Sequence, residues 1–263
     1  MSLPITDRNT IMRDSTGSEP QADQALYQSA IGTLTWIAKC TRPDISYVVG
    51  QLSQHYSAPT TRHWNAALRV LRYLKGTLNY SITYSNREAM SMKLVGFTDA
   101  DYAGDIIDRH SVSGYIYLLY SGPITWNSTK QRCVATSTTE SEYIALAEAS
   151  KQAQWLRTLL RELQYPQYLG DDLAVKIYSD NQACIAIAKD PISHSRTKHI
   201  DVRYHYIREL VTYNKVAIEY LSTKEMVADM LTKPLSFTKL QHCFERFLGN
   251  REAGDRGDIT PEC

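Results

Sequence analysis

The sequence predicts an α/β fold, in which a mixed sheet flanked by helices follows a small helical unit. Two observations lead to this prediction. From Met92 onward, short β-prone runs separated by turns lead into a long helical segment, after which strand-like and helix-like segments alternate. The first ninety residues instead contain three segments with apolar residues at helical spacing and one short strand-like run.

The helical unit is predicted to span residues 23–90, behind a polar, flexible lead-in at 1–22. Its helices are expected at about 25–39, 43–56 and 61–74, and a strand at 78–84. Proline in the first turn of the second helix and Gly76 after the third are typical start and stop signals.

The second unit is predicted to span residues 91–249, with a disordered polar tail at 250–263. Its first strand lies in the stretch KLVGFTDADYAG, and two further strands flank the hairpin signal Ser121-Gly122. The remaining elements are expected in this order: a short run at 132–136, a helix at 138–163, a strand at 173–179, helices at 183–189 and 198–213, a strand at 216–221, and helices at 226–232 and 237–248.

Composition sets few limits on function. The 29 basic and 28 acidic side chains nearly cancel, which leaves nucleic-acid binding open, since a basic surface can exist within a balanced total. The five cysteines are scattered without a CxxC pair, which argues against a disulfide framework or a zinc knuckle and favours a reducing, intracellular setting. We expect no signal peptide, because the N-terminus has no apolar run of the kind that such peptides need. We also expect no association with a membrane, because no segment has the apolar length to span one.

Two aspartates are expected at strand ends, where ligands usually bind to open α/β sheets. Asp99 follows the first strand of the second unit, and Asp180 follows another strand directly before a helix. Asp180 has the alternative role of capping that helix. Asp229, in the short helix after the last strand, is by itself typical of a surface aspartate and gains weight only from the other acidic residues.

Glu142 is singled out by helix geometry. At about 100° per residue, an apolar stripe of the long helix falls within roughly 60° of Glu142, whereas Glu140 lies roughly 160° away, toward solvent. A glutamate on a buried stripe requires compensation, and a metal ion is one way to provide it. The stripe consists of Ala145, Leu146, Ala149, Ala153, Leu156, Leu160 and Leu163.

Four carboxylates without clustered Cys or His suit hard divalent cations such as Mg²⁺ or Mn²⁺. If Asp99, Glu142, Asp180 and Asp229 converge, they can hold two ions about 3.5–4 Å apart. One ion would activate a water molecule, and the other would stabilise the leaving oxygen of a phosphodiester.

Five ordered motifs resemble one family: FTDADYAG, STTESEYIALAEA, IYSDNQACIAIAKDP, RTKHIDVRYHYIRE and ADMLTKPL. They are similar to the RNase H domain of copia-type retrotransposon Pol polyproteins. The upstream stretch from Tyr27 to Thr77 resembles the end of the adjoining reverse transcriptase, so that the resemblance runs from about residue 26 to about residue 248. The resemblance implies an RNase H-like fold with a five-stranded mixed sheet. It also implies hydrolysis of the RNA strand of RNA–DNA hybrids by two divalent ions, with Asp99, Glu142, Asp180 and Asp229 as catalytic metal ligands.

The family pattern is incomplete in this sequence. The stretch LSTKEMVAD lacks the histidine that many cellular RNases H carry before the final aspartate, and the catalytic aspartates of the polymerase are absent. We therefore expect no polymerase activity from this chain alone, which resembles a C-terminal fragment or truncated copy of such a polyprotein. Its expected partners are an RNA–DNA hybrid and the remainder of the polyprotein, and its expected location is the cytoplasm, within virus-like particles, or the nucleus.

Substrate contacts are predicted from residues that follow Asp180. Asn181 would contact the RNA sugar edge or cap a helix, and a cluster near the start of the charged helix would follow phosphates, or form a solvated face. The cluster includes Arg196, Lys198, His199 and Arg203. Two other functions stay open: a catalytically silent module that binds nucleic acid or a polymerase, and a DNA-acting enzyme on the same fold.

Overall fold

The computed structural model describes residues 3–5, 7, 11, 18–84, 92–105, 108–170, 173–189 and 201–250. The helical unit contains three helices and a short strand, close to the predicted positions. They are α1 (Gln24–Cys40), a 3-10 helix (Pro43–Ile45) that leads into α2 (Ser46–Ser53), α3 (Thr61–Gly76) and β1 (Tyr80–Ile82).

The second unit is built on a five-stranded mixed sheet, which confirms the predicted fold class. Its strands have the order β4-β3-β2-β5-β6; β2, β3 and β4 pair antiparallel, whereas β5 pairs parallel with both β2 and β6. The strands are β2 (Val95–Asp101), β3 (Val112–Leu119), β4 (Gly122–Lys130), β5 (Val175–Ser179) and β6 (Val216–Tyr220).

Helices flank this sheet as the sequence predicts. They are α4 (Thr138–Glu162), α5 (Gln182–Lys189), α6 (Asp201–Thr212), the 3-10 helix Val227–Leu231, here called the Asp229 helix, and α7 (Phe237–Phe247). A final strand, β7 (Leu248–Asn250), pairs antiparallel with β1 of the helical unit.

Two local predictions are wrong. The short run at 132–136 is a loop, because β4 continues to Lys130 and the Gln131 side chain then donates to Ser113 Oγ and Ser141 O, which ties the loop between sheet and helix. Leu163 was predicted to lie on the buried stripe of the long helix, but it is 54% exposed because α4 ends one residue before it.

Different helices pack on the two faces of the sheet. On one face, α4 packs with α5 and α6, and the ring of Tyr143 stacks on Tyr204 with centroids 4.3 Å apart. On the other face, the helical unit and the Asp229 helix share a hydrophobic core with Phe97 and Ile116. The Trp126 indole donates to Ala38 O across this interface at 2.8 Å. The sheet and the helical unit are therefore packed together through apolar contacts.

The predicted boundary between the two units falls at residues 85–91, outside the described residues. The division at residue 90 therefore stays a prediction. No helix among the described ranges has the length and apolar character needed to cross a membrane.

Candidate metal centre

Strand pairing places Asp99 beside Asp180. The parallel pairing of β2 with β5 is recorded from Val95 to Phe97, which lies opposite Tyr178. Two residues further along the chain are Asp99, still on β2, and Asp180, the residue that follows the end of β5. Because side chains alternate along a strand, Asp99 lies on the same face of the sheet as Phe97. Asp99 is not at a strand end as predicted, because β2 continues to Asp101 against β3; only its pairing with β5 has ended.

Glu142 completes a group of three carboxylates. It lies in the first turns of α4, is 4% exposed, and accepts a hydrogen bond from the backbone of Ala100. One carboxylate oxygen from each of Glu142, Asp99 and Asp180 lies within 4.8 Å of the other two. The opening where β2 and β5 separate thus brings together three of the four predicted ligands.

Burial and mutual repulsion disfavour negative charge in this group. Burial raises the pKa of Asp99 to about 7, and the nearby carboxylates of Asp229 and Asp180 contribute to that increase, whereas Lys233 opposes it. Burial also raises the pKa of Glu142 well above its ordinary value, with further repulsion from Asp99 and Asp180. Such a group is stabilised by a cation among its oxygens.

The chemistry of the donors fits a hard divalent ion. The three acidic side chains offer carboxylate oxygens as ligands, and Glu142 Oε2 is buried without a hydrogen-bond partner in the part of the chain that the structure describes. A buried, unpaired carboxylate oxygen is costly unless a ligand satisfies it. Asp99, Glu142 and Asp180 are therefore suited to hold Mg²⁺ or Mn²⁺.

Asp229 lies close to the group but has different contacts. Its side chain is fully buried, with Oδ1 2.8 Å from Lys233 Nζ and Oδ2 in contact with Lys239 Nζ. Lys233 Nζ also lies 3.5 Å from Asp99 Oδ2, so that one ammonium group links the two aspartates. The structure thus leaves Asp229 outside the group of three and pairs it with lysines.

Two threonines orient the aspartates. The hydroxyl of Thr232 donates to Asp99 Oδ2, and the hydroxyl of Thr223 donates to Asp180 Oδ2 at 2.7 Å. The sequence interpretation missed these residues and both lysines. The contact of Lys233 with Asp229 could have been predicted, because oppositely charged residues four positions apart on a helix often pair. Thr223 and Thr232 occupy ordinary loop positions, and no sequence pattern distinguishes them.

Gly114 leaves space for the Asp229 helix. It pairs with Asp99 across β2 and β3, and a Cβ atom at this position would lie 2.8 Å from both Leu231 Cβ and Thr232 Cγ2. The absence of a side chain therefore lets the Asp229 helix pack closely against the strand that carries Asp99.

We expect Gly114→Ala to lower the free energy of unfolding by about 1–3 kcal/mol, because the added methyl group overpacks this contact. Urea unfolding measures the change. Gly50→Ala is the matched control, since its Cβ would meet nothing closer than 3.9 Å, and in α2 it should stabilise by roughly 0.5–1 kcal/mol. Equal stability of Gly114→Ala and the wild type would contradict the close packing.

Sequence comparisons identify the family. The Pol polyprotein of transposon TNT 1-94 from Nicotiana tabacum is 43% identical over 219 residues, which are 83% of this chain and 16% of that protein. The Pol polyprotein of transposon RE2 from Arabidopsis thaliana is 42% identical over 229 residues, 86% of this chain and 15% of that protein. The chain belongs to the copia-type retrotransposon Pol family.

This copia-type chain spans about a sixth of the length of those two polyproteins. A shorter relative is Secreted RxLR effector protein 161 of Plasmopara viticola, 47% identical over 135 residues, which are 51% of this chain and 94% of that protein. No family model matches the chain. Among solved structures, an RNase H1 isolated from compost covers 54% of this chain and 93% of its own, with 16% identity and a TM-score of 0.40.

The predicted substrate contacts of this copia-type chain are described only in part. Asn181 Oδ1 accepts from the backbone N–H of Cys184 at 2.9 Å, so Asn181, and not Asp180, caps α5. Arg203 lies half-buried in the first turn of α6. Arg196, Lys198 and His199 lie outside the described residues. Five residues were predicted to contact nucleic acid, and that role stays a prediction for each of them. They are Asn181, Arg196, Lys198, His199 and Arg203.

Proposed function

We propose that this chain hydrolyses the RNA strand of RNA–DNA hybrids with the aid of two divalent metal ions, Mg²⁺ or Mn²⁺. The observation that carries the proposal is the convergence of Asp99, Glu142 and Asp180 within 4.8 Å at the opening of the sheet. Membership of the copia-type Pol family supports a role in nucleic-acid processing, since these polyproteins belong to retrotransposons.

Each acidic residue has a distinct part in this proposal. Asp99, Glu142 and Asp180 would hold the first ion, and Asp229 would join Asp99 in holding the second. When bound, the ions supply an activated water and stabilise the leaving oxygen of the phosphodiester. Thr232 and Thr223 keep the carboxylates of Asp99 and Asp180 in place through their hydroxyl groups.

Substrate selection in this proposal depends on shape. An enzyme of this kind reads A-like helical geometry and the 2′-hydroxyl, with little preference for sequence. Basic residues of the segment 193–208 supply the contacts to phosphate, of which Arg203 lies on a described helix. We further propose that the chain acts with the remainder of a Pol polyprotein, in the cytoplasm or within virus-like particles.

The direct test is cleavage of a labelled hybrid. Purified protein with Mg²⁺ should cut the RNA strand and leave the DNA strand intact, and EDTA should stop the reaction. Asp180→Asn should abolish cleavage while the fold is retained, since Asp180 is only half-buried and a neutral amide binds a divalent ion poorly. Wild-type activity no greater than that of folded Asp180→Asn would overturn the proposal.

The alternative of a catalytically silent module has one observation in its favour. Both carboxylate oxygens of Asp229 contact lysine ammonium groups in this structure. Hybrid binding in a gel-shift assay, combined with no cleavage in either Mg²⁺ or Mn²⁺, would favour this alternative. A DNA-acting enzyme would instead cut both strands of a DNA duplex in the same assay.

A further inference from the structure

Two lysine ammonium groups contact Asp229, the residue that would share a second metal ion with Asp99 under the proposed function. Lys233 Nζ lies 2.8 Å from Asp229 Oδ1 and 3.5 Å from Asp99 Oδ2, and therefore bridges two predicted metal ligands. Lys239, which arrives from α7, contacts Asp229 Oδ2. Both oxygens of Asp229 thus lie beside an ammonium group, although Oδ1 makes an ion pair with Lys233 and no hydrogen bond among the described residues.

Lys239 also connects the two halves of the site. Its ammonium group donates to the backbone oxygen of Thr223 at 3.0 Å, and the hydroxyl of the same threonine donates to Asp180 Oδ2 at 2.7 Å. A continuous series of polar contacts therefore runs from Asp180 through Thr223, Lys239, Asp229 and Lys233 to Asp99. Lys233 and Lys239 are therefore part of the candidate metal centre.

Charge counting indicates what the lysines do. Four ionised carboxylates and two ammonium groups leave two negative charges, which one divalent ion balances. A second divalent ion would then lie next to two ammonium groups, with Lys233 between two of the ligands that it needs. Unit charges about 4 Å apart interact strongly in a partly buried site. The repulsion between the lysine ammonium groups and a second metal ion is therefore substantial.

We infer that Lys233 and Lys239 form an internal cation pair that holds Asp229 away from the metal-binding group, so that the two ions bind unequally. The inference rests on the proposed function. The first ion enters the group Asp99, Glu142 and Asp180, and a second ion binds only when Lys233 leaves Asp229 and Asp99. Lys233 is in this sense a positioning residue, which sets the order of ion binding.

The lysine side chains are able to move in this way. Those of Lys233 and Lys239 are 29% and 27% exposed, although the carboxylate that they contact is fully buried. Each has a long, flexible stem, and a displaced ammonium group can be hydrated at the protein surface. Displacement therefore leaves no buried, unpaired ammonium group.

The test measures Mn²⁺ binding to the whole chain by isothermal titration calorimetry, with free Mn²⁺ followed independently by electron paramagnetic resonance. The wild type should bind one Mn²⁺ per chain and a second at least about tenfold more weakly. Lys233→Met should strengthen the second binding event about tenfold or more, whereas Lys233→Arg, which keeps the charge, should preserve the inequality.

Lys151→Met is the matched control. Lys151 also forms an ion pair, with Glu148 at 2.8 Å, but on the exposed face of α4 away from the carboxylates. This variant should bind both ions as the wild type does. If Lys233→Met does not fold by circular dichroism, Lys239→Met provides the same test, because it removes the other cation that contacts Asp229.

The outcomes separate this inference from the proposed function. Identical Mn²⁺ isotherms for Lys233→Met and Lys151→Met, with hybrid cleavage intact in the wild type, would overturn the role of the lysine alone. Equal affinity for both ions in the wild type would overturn it as well. If the wild type bound no Mn²⁺ and cut no hybrid, both the inference and the proposed function would fail.

Discussion

We expect Glu142→Gln to abolish cleavage of the RNA strand and Glu140→Gln to leave cleavage close to the wild-type rate. The two residues lie two positions apart in α4, on nearly opposite sides of the helix, and have different surroundings. Glu142 is buried within 4.8 Å of two other carboxylates, whereas Glu140 accepts hydrogen bonds from Thr136 at the start of the helix. A glutamine at position 142 keeps the shape and removes the negative charge that a divalent ion requires.

Initial rates on the labelled hybrid at saturating Mg²⁺ provide the measurement. We expect Glu142→Gln to lower kcat by at least about a hundredfold, since ion-dependent stabilisation of the transition state is worth several kcal/mol. Glu140→Gln controls for the loss of one acidic group near the N-terminus of α4, which costs about 0.3–1 kcal/mol of stability. A large loss of activity in Glu140→Gln with Glu142→Gln unaffected would contradict the assignment.

The position of Glu142 was predictable because helix periodicity is a local property. An alanine-rich apolar stripe indicates the buried face of α4, and Glu142 falls on that stripe at the end that meets the sheet. The prediction for Leu163 failed for a related reason, since periodicity does not show where a helix stops. Tyr143 is buried because α6 packs on a second side of α4, where the ring of Tyr204 stacks on that of Tyr143.

The contacts of Asp229 were not predictable, because they depend on tertiary structure. Lys239 reaches Asp229 from α7, a separate helix whose orientation no local pattern reveals. In the same way, the sequence indicated that Asp99 and Asp180 follow apolar runs, but their proximity depends on the parallel register of β2 and β5. Residue types at a metal centre can therefore be identified from sequence, whereas their electrostatic partners require the fold.

We expect Asp99→Asn to stabilise the ion-free protein at pH 8 and to abolish hybrid cleavage. Burial raises the pKa of Asp99 to about 7, so folding favours its protonated form. The stability that this preference provides is fully present below about pH 4, the ordinary range for an aspartate, and is lost as the pH rises through about 7. At pH 8 the wild type carries a disfavoured negative charge that the amide lacks, a difference on the order of a few kcal/mol.

Urea unfolding in EDTA at pH 4.5 and pH 8 measures this effect. Asp99→Asn should exceed the wild type in unfolding free energy at pH 8, and the difference should be much smaller at pH 4.5, where Asp99 is protonated in the folded protein. Mg²⁺ at pH 8 should then stabilise the wild type more than the variant, because the ion neutralises the charge that burial disfavours. Asp101→Asn, on the same strand but outside the carboxylate group, is the matched control. A variant less stable than the wild type at pH 8 would show that the contacts of Asp99 with Lys233 and Thr232 outweigh its burial.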